Sequence, residues 1–204
     1  MKAKNPAVNT KASLAIASLM LLCSQAYALD SIRFPLVRPA VLGATCAPEA
    51  RGKVKVTTLG EVEVMDVKIV GLPKNTEFDV FVIQVPNLPF GLSWYQGDMQ
   101  TNKHGKAYGR FVGRFNKETF IVAPGIAPAP QTHTTGTLDA LENPVTAPVH
   151  TYHIGVWFNS PEDAVKAGCP DLPTAFNGDH TAGIQVLNTS TYADETGPLL
   201  DLGD

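Results

Sequence analysis

Between Arg51 and Val64 the chain alternates polar and apolar residues, "RGKVKVTTLGEVEV". A period of two belongs to a strand with one buried face, because a helical face recurs every 3.6 residues instead. The run is interrupted at Thr58-Leu59-Gly60. A three-residue loop there sets Val56 opposite Val62 and Val54 opposite Val64, with Lys55 opposite Glu63 and Thr57 opposite Glu61 on the other side. Gly60 then falls where such a loop needs a left-handed residue. A two-residue loop would set Val56 against Glu63, so the three-residue register is expected. Val67 and Ile69 have the opposite parity to Val62 and Val64, which predicts a bulge near Met65-Asp66.

The same period recurs along the chain. "EFDVFVIQV" (Glu77 to Val85) is apolar on both parities through Val80 to Ile83 and suits a central strand covered on both sides. After the break "PNLPFG", the stretch "LSWYQGDMQT-NKHG-KAYGRFVGRF" predicts a second hairpin, its four-residue loop pairing Thr101 with Lys106. In that register Leu92, Trp94, Phe111 and Phe115 share a face with Gly109 and Gly113, which leave room for the Trp94 indole. Tyr95, Met99, Tyr108, Arg110, Val112 and Arg114 share the other. "ETFIVAP" is a further short strand, and residues 124–149, rich in Pro, Ala and Thr, form a long aperiodic loop. "HTYHIGVWFN" is a strand, Ser160 caps the short helix "PEDAVKAG", and "HTAGIQVLNT" is the last strand, before an acidic, loose tail from Asp194. The sum is an all-β protein: one antiparallel sandwich, immunoglobulin-like or a related barrel, with one short helix.

Residues 1–28 have the form of a secretory signal peptide. Lys2, Lys4 and Lys11 precede the apolar stretch Leu14 to Cys23, and "AYA" puts small residues at −3 and −1 of a cut after Ala28. A lipid-modified Cys23 is disfavoured, because the residue before it is the bulky Leu22. No later stretch is apolar for long enough to span a membrane. What remains, Leu29 to Asp204, is a single domain of 176 residues with 13 basic and 19 acidic side chains, a formal −6. That balance, with no basic run, argues against nucleic acid and anionic membrane surfaces as partners. The two remaining cysteines, Cys46 and Cys169, are expected to form a disulfide in an oxidising compartment, periplasmic or extracellular.

The succession "VKIVGLPKNTEFDVFVIQ…TNKHGKAYGRF" resembles the strand–GLP–strand–T[ND]xxG rhythm of immunoglobulin-like and transthyretin-like sandwiches, over about 70 residues. The whole is similar to secreted bacterial proteins of uncharacterised activity. The resemblance implies a fold and a setting but no activity. Superoxide dismutase shares the sandwich and the GLP turn, yet its closely spaced histidine ligands have no counterpart here.

The chemistry is sparse. In a strand His150 and His153 point to opposite faces, so the pair is not one metal site. His150, Tyr152, Ile154, Val156 and Phe158 would share the core side, and Thr151, His153, Gly155, Trp157 and Asn159 the other. Zinc or copper needs three or four converging ligands, which His104, His133, His150, His153 and His180 do not advertise by spacing. The four serines after the leader, Ser31, Ser93, Ser160 and Ser190, lie outside any G-x-S-x-G motif, and neither His-Glu-x-x-His nor a phosphate-binding glycine loop occurs. "NTS" at Asn188 matches a glycosylation sequon, which a bacterial leader makes irrelevant. One feature favours binding: Tyr95, Tyr108, Arg110 and Arg114 on one hairpin face, with His153 and Trp157 as a second small platform. The expected function is therefore non-catalytic, binding a protein, glycan or envelope component, with no cofactor or metal. The alternatives are an exported metal-dependent hydrolase or redox enzyme built on the histidines, and a rigid part of a surface assembly joined through strand edges.

Overall fold

The computed structural model describes residues 30–116, 150–175 and 181–202. The leader, the expected strand "ETFIVAP", the 124–149 loop, His133 and His180 lie outside them. Two antiparallel four-stranded sheets form a sandwich. The first has the order β1 (Ser31–Leu36), β2 (Arg51–Leu59), β3 (Val62–Val70), β6 (Lys106–Gly113). The second runs β10 (Gln185–Asn188), β7 (His153–Phe158), β4 (Glu77–Ile83), β5 (Ser93–Gln100). A small pair, β8 (Thr174–Ala175) with β9 (Thr181–Ala182), follows the helix α1 (Pro161–Lys166). Ser160 caps α1 as expected, its Oγ accepting the Asp163 N–H at 3.2 Å.

Alternate residues of the two sheets meet in one core. Leu36, Val54, Val56, Met65, Val67 and Ile69 from the first pack with Phe78, Val80, Val82, Ile154, Val156 and Phe158 from the second. Phe78 and Phe158, opposite one another on β4 and β7, lie 4.9 Å apart between ring centroids. β7 is buried along its whole length because the other side of its sheet is covered too: Trp157 packs edge-on against Phe81 and Phe90, with Ile83 and Ala182 completing a second, smaller cluster. The expectation of a doubly covered β4 holds for the same reason.

The β2–β3 register differs from the sequence expectation. The turn is Gly60-Glu61, with Leu59 opposite Val62 and Val56 opposite Met65, and β3 carries no bulge. Gly60, at φ +62°, occupies the first position of a two-residue hairpin, where a left-handed residue belongs. The reason for the shift is Glu63, which points inward and is 2% exposed. Its carboxylate accepts the Phe115 N–H at 2.8 Å and pairs with Arg114 at 3.1 Å, so its burial is compensated. Met65, Val67 and Ile69 then continue on the core side in unbroken alternation, and Val62 and Val64 fall outside.

The expected second hairpin is an arch. β5 pairs with β4 and β6 with β3, so the two strands belong to different sheets. Residues 101–105 carry the chain across the sandwich. There the buried Thr101 hydroxyl donates to the Pro73 carbonyl at 2.6 Å and accepts the Thr76 N–H at 2.9 Å. Gly105, at φ +66°, passes so close to Leu72 that a Cβ would lie 2.1 Å from its carbonyl oxygen. The space beside Gly109 and Gly113 is taken by Met99, Phe111 and Phe115, while Trp94 is exposed on the other sheet.

Three further features were not anticipated. β1 adds an edge strand to β2, and beyond it Val37 exchanges backbone hydrogen bonds with Asn188 at 2.8 Å, linking the sheets. The last strand divides into β9 and β10, with Gly183 and Ile184 between them. The tail expected to be loose packs instead: 3-10 turns at Asp194–Thr196 and Pro198–Leu202 carry Leu199 into the core, where its N–H donates to the Tyr152 carbonyl. Cys46 and Cys169, both buried, have their sulfurs 1.99 Å apart, tying the β1–β2 connection to the end of the helical segment. Because Leu199 is fully buried, Leu199→Ala should lower unfolding free energy by about 2–4 kcal/mol in denaturant titrations. A loose tail would leave the midpoint unchanged.

Candidate functional site

The strand alternation that buries one face of the first sheet presents the other to solvent. Register places the outward residues in rows across the four strands. One row is Arg33, Lys55, Asp66, Arg110; the next is Pro35, Lys53, Lys68, Tyr108; Arg51, Val70 and Lys106 follow. Neighbouring strands are about 4.8 Å apart and alternate residues about 6.7 Å apart along a strand, so these side chains form a compact grid. Seven cations stand on the strands of this face (Arg33, Arg51, Lys53, Lys55, Lys68, Lys106 and Arg110), and Asp66 is the one carboxylate among its described strand positions. A shallow open depression of about 930 Å³ lies between them, bounded by Arg33, Lys53, Lys55, Asp66, Lys68, Tyr108 and Arg110.

Asp66 organises the centre of the grid. Its Oδ1 accepts Arg110 Nε–H at 2.7 Å and its Oδ2 accepts Arg110 Nη2–H at 3.0 Å, a two-pronged pair. The Tyr108 hydroxyl also donates to Oδ1. Hydrogen bonds from Arg110 and then Tyr108 hold the Asp66 carboxyl down at about 2, against partial desolvation. The same contact with Asp66 raises the Tyr108 hydroxyl. Lys68 Nζ lies 5.9 Å from the Tyr108 ring centroid, within cation–π range. Among the described residues, no ion pair involves Arg33, Arg51, Lys53, Lys55, Lys68 or Lys106.

The six residues expected to bind are thus divided by the fold. Tyr108 and Arg110 stand together on the basic face. Arg114, just beyond β6, is engaged by Glu63. Tyr95 belongs to the second sheet, where its hydroxyl donates to Asp98 at 2.6 Å and its ring lies 5.6 Å from Phe81. Desolvation, reinforced by Asp98, raises its hydroxyl well above the usual phenol range. Met99, expected beside these residues, is in the core. His153 and Trp157 are buried and form no surface platform.

Nor do the described histidines converge. His104 is exposed in the arch, at the end of the second sheet opposite to His153. His150 Nδ1 lies 3.0 Å from the Asn116 carbonyl, and its ring stacks on Tyr152. His153 Nε2 donates to the Asp194 carbonyl at 2.9 Å, and the Thr189 hydroxyl lies 2.8 Å from Nδ1. Among the described residues, no group of three His, Cys, Asp or Glu side chains could hold a metal, and no helix is long and apolar enough to cross a membrane. The sequon residue Asn188 is buried, its amide donating to Pro86 and Gln185.

The sequence signal for the face was present: outward lysines at every second position of "GKVKV" and a third at Lys68. It was missed because the charges are distributed over four strands and cancel in the sum over the chain. No protein-family model, curated protein or solved structure matches this chain.

Burial lowers the His153 imidazolium pKa below its ordinary 6.5, despite the Asp194 carbonyl. The folded state therefore resists a proton that the unfolded chain takes up near 6.5, and the stabilisation is present above that pH and lost below it. Lowering pH from about 7.5 to about 5.5 should cost stability, by at most about 1.4 kcal/mol per pH unit from this group. Denaturant midpoints across that range should fall for the wild type and fall less for His153→Gln.

Proposed function

We propose that the protein is an exported, non-catalytic binding protein of the cell envelope or extracellular space. It docks an anionic partner on the outer face of its first sheet. The observation that carries this reading is the grid of seven cations against one carboxylate, Asp66, among the described strand positions, on a chain whose formal net charge is −3. Like charges held at strand spacing repel one another, and a polyanion laid across them relieves that repulsion. Tyr108 adds contact area and a polar tip, and Asp66 fixes its orientation together with that of Arg110. The leader-like N-terminus and the Cys46–Cys169 pair support export into an oxidising compartment. The two packed antiparallel sheets support an all-β sandwich, which supplies a platform but does not dictate a ligand.

An immobilised sulfated polysaccharide tests the reading. The mature wild type should be retained at low salt and eluted as salt screens the contact. Lys53→Gln/Lys55→Gln/Lys68→Gln should elute markedly earlier with an unchanged melting temperature, because none of these side chains packs in the core. Wild-type protein that flows through unretained would refute the proposal.

A further inference from the structure

We infer that the anionic partner is a lipid bilayer surface, entered by the β2–β3 hairpin tip; this rests on the anionic-partner reading above. The basic grid does not fill the outer face. Toward the Gly60 turn the same face becomes apolar: Leu59 is opposite Val62, and Val64 is opposite Val112. Leu59, Val62 and Val112 are exposed, the last at 64%, and Val64 is half-buried. Cations and an apolar end therefore share one side of one sheet, within a few strand spacings of each other.

A soluble polyanion would engage the cations and leave these side chains in water. An anionic leaflet offers partners to both, phosphate groups at the surface and the upper acyl region just beneath. Tyr108 has the amphipathic ring that settles at such a boundary. The acidic excess of the whole chain repels the leaflet from other directions, so the electrostatics also orient the molecule, basic face down. One group opposes docking. Glu61, exposed at the turn itself, would approach the anionic surface first.

That opposing charge provides a gain-of-binding test. The mature protein is sedimented with vesicles of phosphatidylcholine containing one-third phosphatidylglycerol, and with pure phosphatidylcholine vesicles. Wild type should partition onto the anionic vesicles and not the neutral ones. Glu61→Lys should strengthen that partitioning at least about fivefold, since each basic residue near the surface contributes about that factor. Leu59→Ser/Val62→Ser should weaken it about tenfold while leaving retention on the sulfated polysaccharide intact. If wild type is retained on the polysaccharide but ignores anionic vesicles, the lipid inference falls and the anionic-partner reading stands. If it is retained by neither, both fall. Vesicle binding indifferent to the Leu59 and Val62 changes also overturns the inference, because contact would then be by charge alone.

Discussion

Everything in this molecule depends on the register between β2 and β3. Side chains in a strand alternate sides, so a slip of one residue would exchange the whole buried set for the whole exposed one. In the observed register Val54 and Val56 join Met65, Val67 and Ile69 inside, while Lys53, Lys55 and Lys68 remain in water. A slipped register turns one strand over against the other, burying either Lys68 with Asp66 or Lys53 with Lys55, and a lysine buried without a partner costs several kcal/mol. Core and basic face are therefore two consequences of one alignment. β6 then joins β3 in the same phase, adding Phe111 to the core side and Tyr108 and Arg110 to the face.

Around that alignment the chain is closed by contacts remote in sequence. The disulfide spans 123 residues, and closing so long a loop is worth about 4–5 kcal/mol on the chain-entropy model. The C-terminal turns bring Leu199 against the end of the core, and the Asp194 carbonyl receives His153. Val37 and Asn188 join the edge of one sheet to the edge of the other. These ties fix the ends of the strands around the core and leave the outer face of the first sheet to its own side chains.

The sequence disclosed the architecture better than the pairings. Two-residue alternation, turn chemistry and the capped helix were legible because each is local. The hairpin register was not, because a buried glutamate looks like an outward residue until its partners, Arg114 and the Phe115 N–H, are known. The arch reads like a hairpin in sequence because both need a short polar loop ending in glycine. Only the long-range preference of β5 for β4 and of β6 for β3 separates them. The histidine question had a spatial answer as well: His153 is held by Thr189 and Asp194, neither of them its neighbour in the chain.

The site was the least legible part, for a related reason. A net charge is a sum over a volume, whereas a partner meets one face. β1, β2, β3 and β6 each place one to three cations outward, too few on any strand to form a basic run. At physiological ionic strength, charges more than about 8 Å apart across solvent are largely screened. An approaching surface therefore responds to the grid beneath it and hardly at all to acidic groups on the far side. An acidic chain can thus carry a strongly basic site, provided folding sorts its charges by face. In this protein the alternation of β2 and β3 does that sorting while it builds the core.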